Sequence, residues 1–350
     1  MELLKKLDKV NKTDKVLLLT HIDMDAAGTE ILCRLGFDNL TVKNLSNNKM
    51  SDSILEAVQK NNETHEYDVI LIDDISCSME NAKEIDDLKK KHNMRIVLLD
   101  HHQTALALNA YDWATVKVSL FSQSTIAYRY GNNLSKAHSS GTSLMYDYLI
   151  FNHVLDATPF LDELVHQIAA YDTWDWHYLF NDNDKYSNID KLCDIYGMRV
   201  FVDEMYQRAL KNYNSFELCN EKDMFMLEIW KIKLDDHLEH IKTAFKEATL
   251  TLENNTTLDI VWCITSDYLQ DTFELMKTEY PEKDLYIINY GSGISMRGVN
   301  KDFNVGMFAK ENYGGGGHPG AAGFPIPEEM IHEYMEQILK GKIVNQTEEI

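Results

Sequence analysis

Cysteine, proline and basic residues are all scarce in this chain of 350 residues. The five cysteines (Cys33, Cys77, Cys193, Cys219 and Cys263) lie far apart with no CxxC pair. That argues against a zinc knuckle, and five thiols cannot all pair, so buried reduced thiols in a cytoplasmic protein are expected. No stretch approaches ~20 apolar residues, which excludes a transmembrane helix. The opening residues MELLKKLDKVNKTDK alternate charge with leucine and do not read as a signal peptide. Lysine and arginine total 34 against 56 acidic residues, a formal net charge of −22. Grip on long duplex DNA takes a basic face, which this composition disfavours. A short nucleotide substrate, or one held through metal ions, is still allowed.

What is present is enough for folded domains. With 44% hydrophobic and 26% charged residues the chain can bury a sizeable core, and its length suggests two domains. Val16 to Thr20, Asp68 to Asp73 and Arg95 to Leu99 are short apolar runs of the kind that parallel strands buried on both faces show. Helical patterns follow at Ala26 to Leu35 and Met79 to His92. Strands separated by helices in this way predict a right-handed βαβ sheet and an α/β fold. Further on, Ser124 to Phe151 reads as helical with an interruption at Gly141, Phe160 to Ala170 as a helix, and residues 181–190 as an exposed polar loop. The charged-apolar pattern from Phe216 to Leu250 predicts one long amphipathic helix connecting two domains. A second α/β unit follows: strands at Leu258–Ile264, Leu285–Tyr290 and Gly293–Arg297, and a helix at Tyr268–Glu279. Four of the five prolines fall at or after Pro281, and six of the 16 glycines lie between Gly314 and Gly323, marking one specialised loop.

Each of the first three strands ends in aspartate and histidine. His21, Asp23 and Asp25 alternate after the first, Asp73 and Asp74 end the second, and Asp100, His101 and His102 end the third. Ligands of open parallel sheets sit off the carboxyl ends of strands, so the three segments should meet at one crevice. If the first segment stays extended, its three side chains project to one side. Imidazole with hard carboxylate oxygens suits Mn²⁺, Mg²⁺ or Fe²⁺ better than thiolate sites suit them. Competing readings are ordinary: Asp25 or Thr20 capping the next helix, one of Asp73 and Asp74 doing the same, or a solvated loop at Asp100 to His102. Asp172, in Tyr171-Asp172-Thr173-Trp174-Asp175-Trp176, adds a carboxylate from a fourth segment, and its two tryptophans read as packing before base-stacking surfaces.

This order of motifs, followed downstream by Gly-Gly-Gly-Gly-His-Pro-Gly-Ala-Ala-Gly-Phe, resembles the DHH phosphoesterase family. The resemblance covers residues 15–175 as catalytic domain and about 256–335 as the DHH-associated substrate-binding domain. The Tyr-Asp-Thr-Trp-Asp-Trp motif is most similar to the nano-RNase (oligoribonuclease) branch. It implies an N-terminal parallel-sheet domain over 1–180, a helical connector over 181–255, a smaller α/β domain over 256–340 and a tail at 341–350. It implies two divalent metal ions, Mn²⁺ first and Mg²⁺ or Co²⁺ as alternatives. His21 and Asp23 would bind one ion and Asp25 the other. Asp74 would bridge them, with Asp73 as the alternative register, and His101 and Asp172 would complete the second site. His102 would face the phosphate and Asp100 would orient the histidines. Arg297, Gly315, Gly316, Gly317 and His318 would bind substrate, the glycines by turning backbone N–H groups onto an anion. Ala26 and Ala27 stand where relatives commonly carry glycine, a departure that removes no ligand.

The implied activity is exonucleolytic hydrolysis of short single-stranded RNA or dinucleotides, with no duplex DNA or membrane partner; a homodimer is compatible. Phosphohydrolysis of 3′-phosphoadenosine-5′-phosphate or of linear or cyclic dinucleotides is the alternative within the class. A non-catalytic nucleotide-binding regulator is the alternative outside it.

Overall fold

The computed structural model of the chain describes residues 2–45, 50–180, 183–252, 255–299 and 303–339, so the expected tail at 341–350 lies outside the described residues. The protein is α/β and divides into two compact units, Met1–Glu228 and Ile229–Ile350. No helix among the described residues is long and apolar enough to cross a membrane. All five cysteines are free, and all but Cys219 are buried.

The first unit is built on strands β1 (Lys15–Thr20), β2 (Asn39–Asn44), β3 (Val69–Asp73), β4 (Arg95–Asp100) and β5 (Ala114–Val116). They form one sheet in the order β2-β1-β3-β4-β5, parallel throughout. Helices α1 (Met24–Gly36), α2 (Met50–Thr64) and α3 (Met79–His92) make the crossovers. The apolar runs are buried on both faces because successive side chains point opposite ways. Val16, Leu18, Val69, Leu71, Val97 and Leu99 enter one core, while Leu17, Leu19, Ile70, Ile72, Ile96 and Leu98 enter the other. Full burial of each such side chain contributes roughly 1.5–3 kcal/mol. The strand order reverses between β1 and β3, so their outgoing chains diverge and leave a crevice at the carboxyl ends.

Further α-helices of this unit among the described residues are α4 (Ala127–Tyr130), α5 (Gly141–Phe151), α6 (Pro159–Asp172), α7 (Asp175–Leu179), α8 (Asn183–Tyr196) and α9 (Met198–Lys211). Three expectations need correction here. Ser124 to Phe151 is not one interrupted helix: only α4 and α5 are α-helical, and Gly141 is the first residue of α5. Residues 183–190 are not a loop but the first half of α8, whose Tyr186, Ile189 and Leu192 are buried at helical spacing. The run from Phe216 to Leu250 contains α10 (Glu221–Ile241) and then strand β6 (Lys246–Thr251). The boundary between the compact units falls within α10, and α8 and α9 belong to the first unit.

The second unit holds β6, β7 (Thr257–Ile264), α11 (Leu269–Glu279), β8 (Leu285–Asn289), β9 (Gly293–Gly298), α12 (Val305–Tyr313), β10 (Gly316–His318), β11 (Ala321–Pro325) and α13 (Glu328–Leu339). Its sheet runs β10-β11-β9-β8-β7-β6 and is mixed: β7 and β8 are parallel, and the other neighbours antiparallel.

One buried group in α6 gives the fold an acid sensitivity. His166 is 3% exposed, its two ring nitrogens have no hydrogen-bond partner, and it packs edge-on against Tyr130, Phe180 and Tyr186. Burial, aided by the Arg129 and Lys185 charges, pushes its pKa down to about 3. The unfolded chain takes up this proton below about pH 6.5, whereas the folded chain resists it. Stability is therefore full above that pH and lost as pH falls. Between pH 7.5 and pH 5 the loss should be about 2 kcal/mol, at 1.36 kcal/mol per pH unit below 6.5. Urea melts of the wild type and of His166→Phe at both pH values should differ in pH dependence by that amount.

Candidate metal and phosphate site

β1 ends at Thr20 and α1 begins at Met24, so the chain turns at once into a helix. Asp23 caps it: Ala26 N–H donates to Asp23 Oδ1 (3.0 Å). The cap is thus Asp23 rather than Asp25 or Thr20. Its second oxygen lies 2.5 Å from His21 Nδ1. That bond above all raises the His21 pKa. Burial opposes ionisation of Asp23, yet the bonds from His21 and Ala26 together hold its pKa below the usual carboxylate value. Because the helix has begun, Asp25 does not continue an extended alternation. It sits in the first turn of α1, buried, and faces a different set of partners.

Those partners come from α5. Gly141 N–H donates to Asp25 Oδ2 (2.6 Å), Thr142 N–H to Asp25 Oδ1 (3.0 Å), and the Thr142 hydroxyl to the Asp25 carbonyl (2.6 Å). The carboxylate therefore occupies the N-terminus of a helix, where free N–H groups and the macrodipole favour negative charge. Gly141 also makes room for the cluster. A Cβ there would lie 2.7 Å from Asp74 Cβ, 2.8 Å from Asp73 Oδ2 and 3.0 Å from Asp25 Oδ2. Gly141, Thr142 and Thr29, whose hydroxyl donates to Asp73, were not singled out for the site by the sequence reading. Gly141 and Thr142 lie 116 and 117 positions from Asp25, and Thr29 lies 44 from Asp73, so only the fold joins these pairs.

At the end of β3, Asp73 is still in the strand and Asp74 adopts a left-handed conformation (φ 59°). Asp74 Oδ1 lies 3.1 Å from His101 Nε2 and 4.0 Å from His102 Nδ1. Asp100 holds the loop after β4: its Oδ1 accepts from His101 N–H (2.7 Å) and His102 N–H (3.1 Å) and lies 2.7 Å from His102 Nδ1. Asp172, the last residue of α6, brings Oδ2 to 3.5 Å from His101 Nε2.

Ligand atoms gather in three overlapping sets: His21 with Asp23 and Asp74; Asp25 with His101 and Asp172; and Asp74 with Asp100, His101 and His102. Within each set they lie within 4.8 Å of one another. Asp73 is in none of them. The carboxyls of Asp73, Asp74 and Asp172 have pKa values pushed well up, first by burial and then by the neighbouring carboxylates, Asp25 foremost. Buried oxygens of Asp73, Asp100 and Asp172 have no hydrogen-bond partner. Crowded carboxylates of this kind call for positive charge, and carboxylate oxygen with imidazole nitrogen is the donor set of hard divalent cations. The residues present fit such ions.

Asp100 places the exposed His102 ring by fixing which nitrogen faces outward. Asp100→Asn should lower kcat/KM by about 10- to 100-fold, as loss of an orienting partner does, with little change in melting temperature by calorimetry.

The substrate residues expected in the second unit do not form an open loop. Gly314 (φ 65°) ends α12, Gly315 N–H donates to Ala309 O (3.0 Å), and Gly316 to His318 form β10, paired with β11. Gly317 (φ 144°) fits a conformation and a closeness to Ala321 and Ala322 that a side chain would not. Arg297, on β9, lies over the Phe273 ring (4.6 Å) and donates to Met296 O (3.0 Å) and Gln270 Oε1 (3.2 Å).

No protein-family profile matches the chain. It is 26% identical over 326 residues, 92% of its length, to oligoribonuclease NrnB of Bacillus subtilis (strain 168), covering 76% of that protein. Two solved structures align over nearly the whole chain. One is a pGpG-specific phosphodiesterase, PggH, of Vibrio cholerae (12% identity, TM-score 0.45, 93% of this chain and 98% of that one). The other is an exopolyphosphatase-related protein of Bacteroides fragilis (17%, TM-score 0.40, 97% and 94%).

Proposed function

We propose that this chain, which fits the DHH phosphoesterases in its motifs and along 92% of its length in its likeness to NrnB, is a metal-dependent phosphodiesterase that shortens small oligoribonucleotides to mononucleotides. The carrying observation is the meeting of three ligand sets at the carboxyl ends of β1, β3 and β4, closed by α5 and α6. His21 and Asp23 would hold one cation, Asp25, His101 and Asp172 a second, and Asp74 would serve both. Divalent cations bound there supply Lewis-acid stabilisation of charge on phosphoryl oxygens and lower the pKa of an attacking water. The protein's own groups do the rest. Asp100 holds His102 so that its ring can donate to a phosphate or leaving oxygen. The Asp25 carboxylate is fixed by Gly141 and Thr142, so its position needs no reorganisation when substrate arrives. In the second unit, Arg297, Gly315, Gly316, Gly317 and His318 are the proposed nucleotide contacts.

A short substrate is favoured because four ligand aspartates and two divalent ions roughly cancel. The phosphate is then met by cations rather than by a basic surface, which a net charge of −22 disfavours. The name of the relative NrnB, an oligoribonuclease, supports the same substrate class. Labelled RNA of two to five nucleotides with Mn²⁺, Mg²⁺ or Co²⁺ tests the reading, beside 3′-phosphoadenosine-5′-phosphate and linear and cyclic dinucleotides. Shortening of the RNA is expected. Intact short RNA with rapid decay of long single-stranded DNA would refute it.

A further inference from the structure

Beside the ligand cluster lies a pocket of about 490 Å³ lined by His21, Asp23, Asp190, Asp194 and Met198 among others, with no lysine or arginine among its described lining residues. Apart from a cation held at His21 and Asp23, no side-chain positive charge lines this side of the site, so a second source of affinity for the rest of the substrate is called for. Asp190 in that pocket is hydrogen-bonded to Tyr171. The Tyr171 ring stacks on Trp176 (centroids 5.6 Å, interplanar 20°), and Trp176 neighbours Trp174 (6.4 Å, 31°). His177 closes the group edge-on to Trp174 (6.3 Å, 83°). A continuous aromatic wall thus starts next to Asp172 and the pocket.

Trp174 is the odd member. It is 48% exposed and held in the left-handed region at φ 63°, where a bulky residue is a rare outlier. Its backbone is pinned there: Trp174 N–H donates to Tyr171 O (3.1 Å), and Trp174 O accepts from His177 N–H (3.1 Å). Strain of this kind tends to persist where the side chain is needed in one place. Two Cα steps, about 7.6 Å at most, separate its backbone from that of the candidate ligand Asp172.

We infer that Trp174 is the platform on which a nucleobase of the substrate stacks while the adjacent phosphate lies at the ligand cluster. This rests on the proposed phosphodiesterase reading and extends it to substrate specificity. Stacking is indifferent to base identity because every base has a π-face, so the enzyme gains affinity for nucleotides of any sequence without cationic side chains. Trp174 is accordingly a binding residue for the base and takes no part in bond breaking.

The test measures Kd for the dinucleotide pApA by isothermal titration with Ca²⁺ in place of Mn²⁺, so binding is read apart from turnover. Trp174→Ala should weaken Kd by about 5- to 150-fold, the range that one base–aromatic stack gives, and Trp174→Phe should recover part of the loss. Trp174→Gly should show the same weakening and be no less stable than Trp174→Ala, because glycine tolerates the left-handed backbone. A dinucleotide lacking the stacked base should bind the wild type weakly and Trp174→Ala no more weakly still. Equal Kd for wild type and Trp174→Ala overturns the inference. So does a loss that persists undiminished with the abasic ligand, or a variant whose sole change is in oligomeric state. Tight, Trp174-dependent binding without turnover would instead count against the activity alone.

Discussion

Replacing Asp74 with alanine is expected to lower turnover of a short oligoribonucleotide by about 10³-fold or more, beyond the 10–100-fold typical of an orienting partner. Asp74 contributes to two of the three ligand sets and lies 3.1 Å from His101 Nε2. Burial first, then Asp25, Asp23, Asp73 and Asp100, push its pKa well up. A carboxyl whose folded pKa is raised supports the fold at low pH and loses that support as pH rises through the folded value. Without metal, burial of this carboxyl therefore works against folding once the pH is above the ordinary carboxylate range. Asp74→Ala should melt at a higher temperature than the wild type in EDTA, while Mn²⁺ should raise the wild-type melting temperature more than the variant's. Ligand bound at 100 times its Kd stabilises by about 2.7 kcal/mol, a shift that scanning calorimetry resolves. Full activity in Asp74→Ala, or an equal Mn²⁺ shift in both proteins, would remove Asp74 from the site.

Gly141→Ala is expected to be nearly as damaging, although it removes no functional group. The added methyl would press on Asp74 Cβ (2.7 Å), Asp73 Oδ2 (2.8 Å) and Asp25 Oδ2 (3.0 Å) at once. Asp25 is held by the Gly141 and Thr142 N–H groups, Asp73 by the Thr29 hydroxyl, and Asp74 lies against His101, so either these carboxylates or α5 must move. Overpacking of this kind costs about 1–3 kcal/mol of stability. Displacement of about 1 Å at reacting groups costs on the order of 100-fold in rate. Turnover and urea melts of Gly141→Ala should show both losses. A Gly141→Ala protein with wild-type kcat would show that the crowding is relieved without disturbing the carboxylates.

The central strands were readable because burial on both faces leaves uninterrupted apolar runs at β1, β3 and β4. β2 was not, since Asn-Leu-Thr-Val-Lys-Asn is an edge strand with alternating exposure and few apolar residues. β6 was hidden for a related reason: Lys246–Thr251 is exposed along most of its length and continues the polar pattern of the helix before it. α8 begins in a run whose polarity masks two buried side chains at helical spacing, Tyr186 and Ile189. In the site, the ligand candidates were legible because each cluster is local, a few residues at one strand end. Their arrangement was not. The capture of Asp25 by Gly141 and Thr142 joins residues 116 and 117 positions apart. Nor does anything local mark Asp23 rather than Asp25 as the cap. His166 gave no signal because a lone histidine in an apolar helix looks the same whether paired or orphaned.

Anomalous scattering from crystals soaked in Mn²⁺ tests most directly whether the strand-end residues hold a pair of cations. Two peaks are predicted, about 3.5–4 Å apart as in two-metal hydrolases, one against His21 and Asp23, the other against Asp25, His101 and Asp172, with Asp74 touching both. A lone peak, or manganese bound away from these side chains in a protein that still cleaves short RNA, would contradict the account.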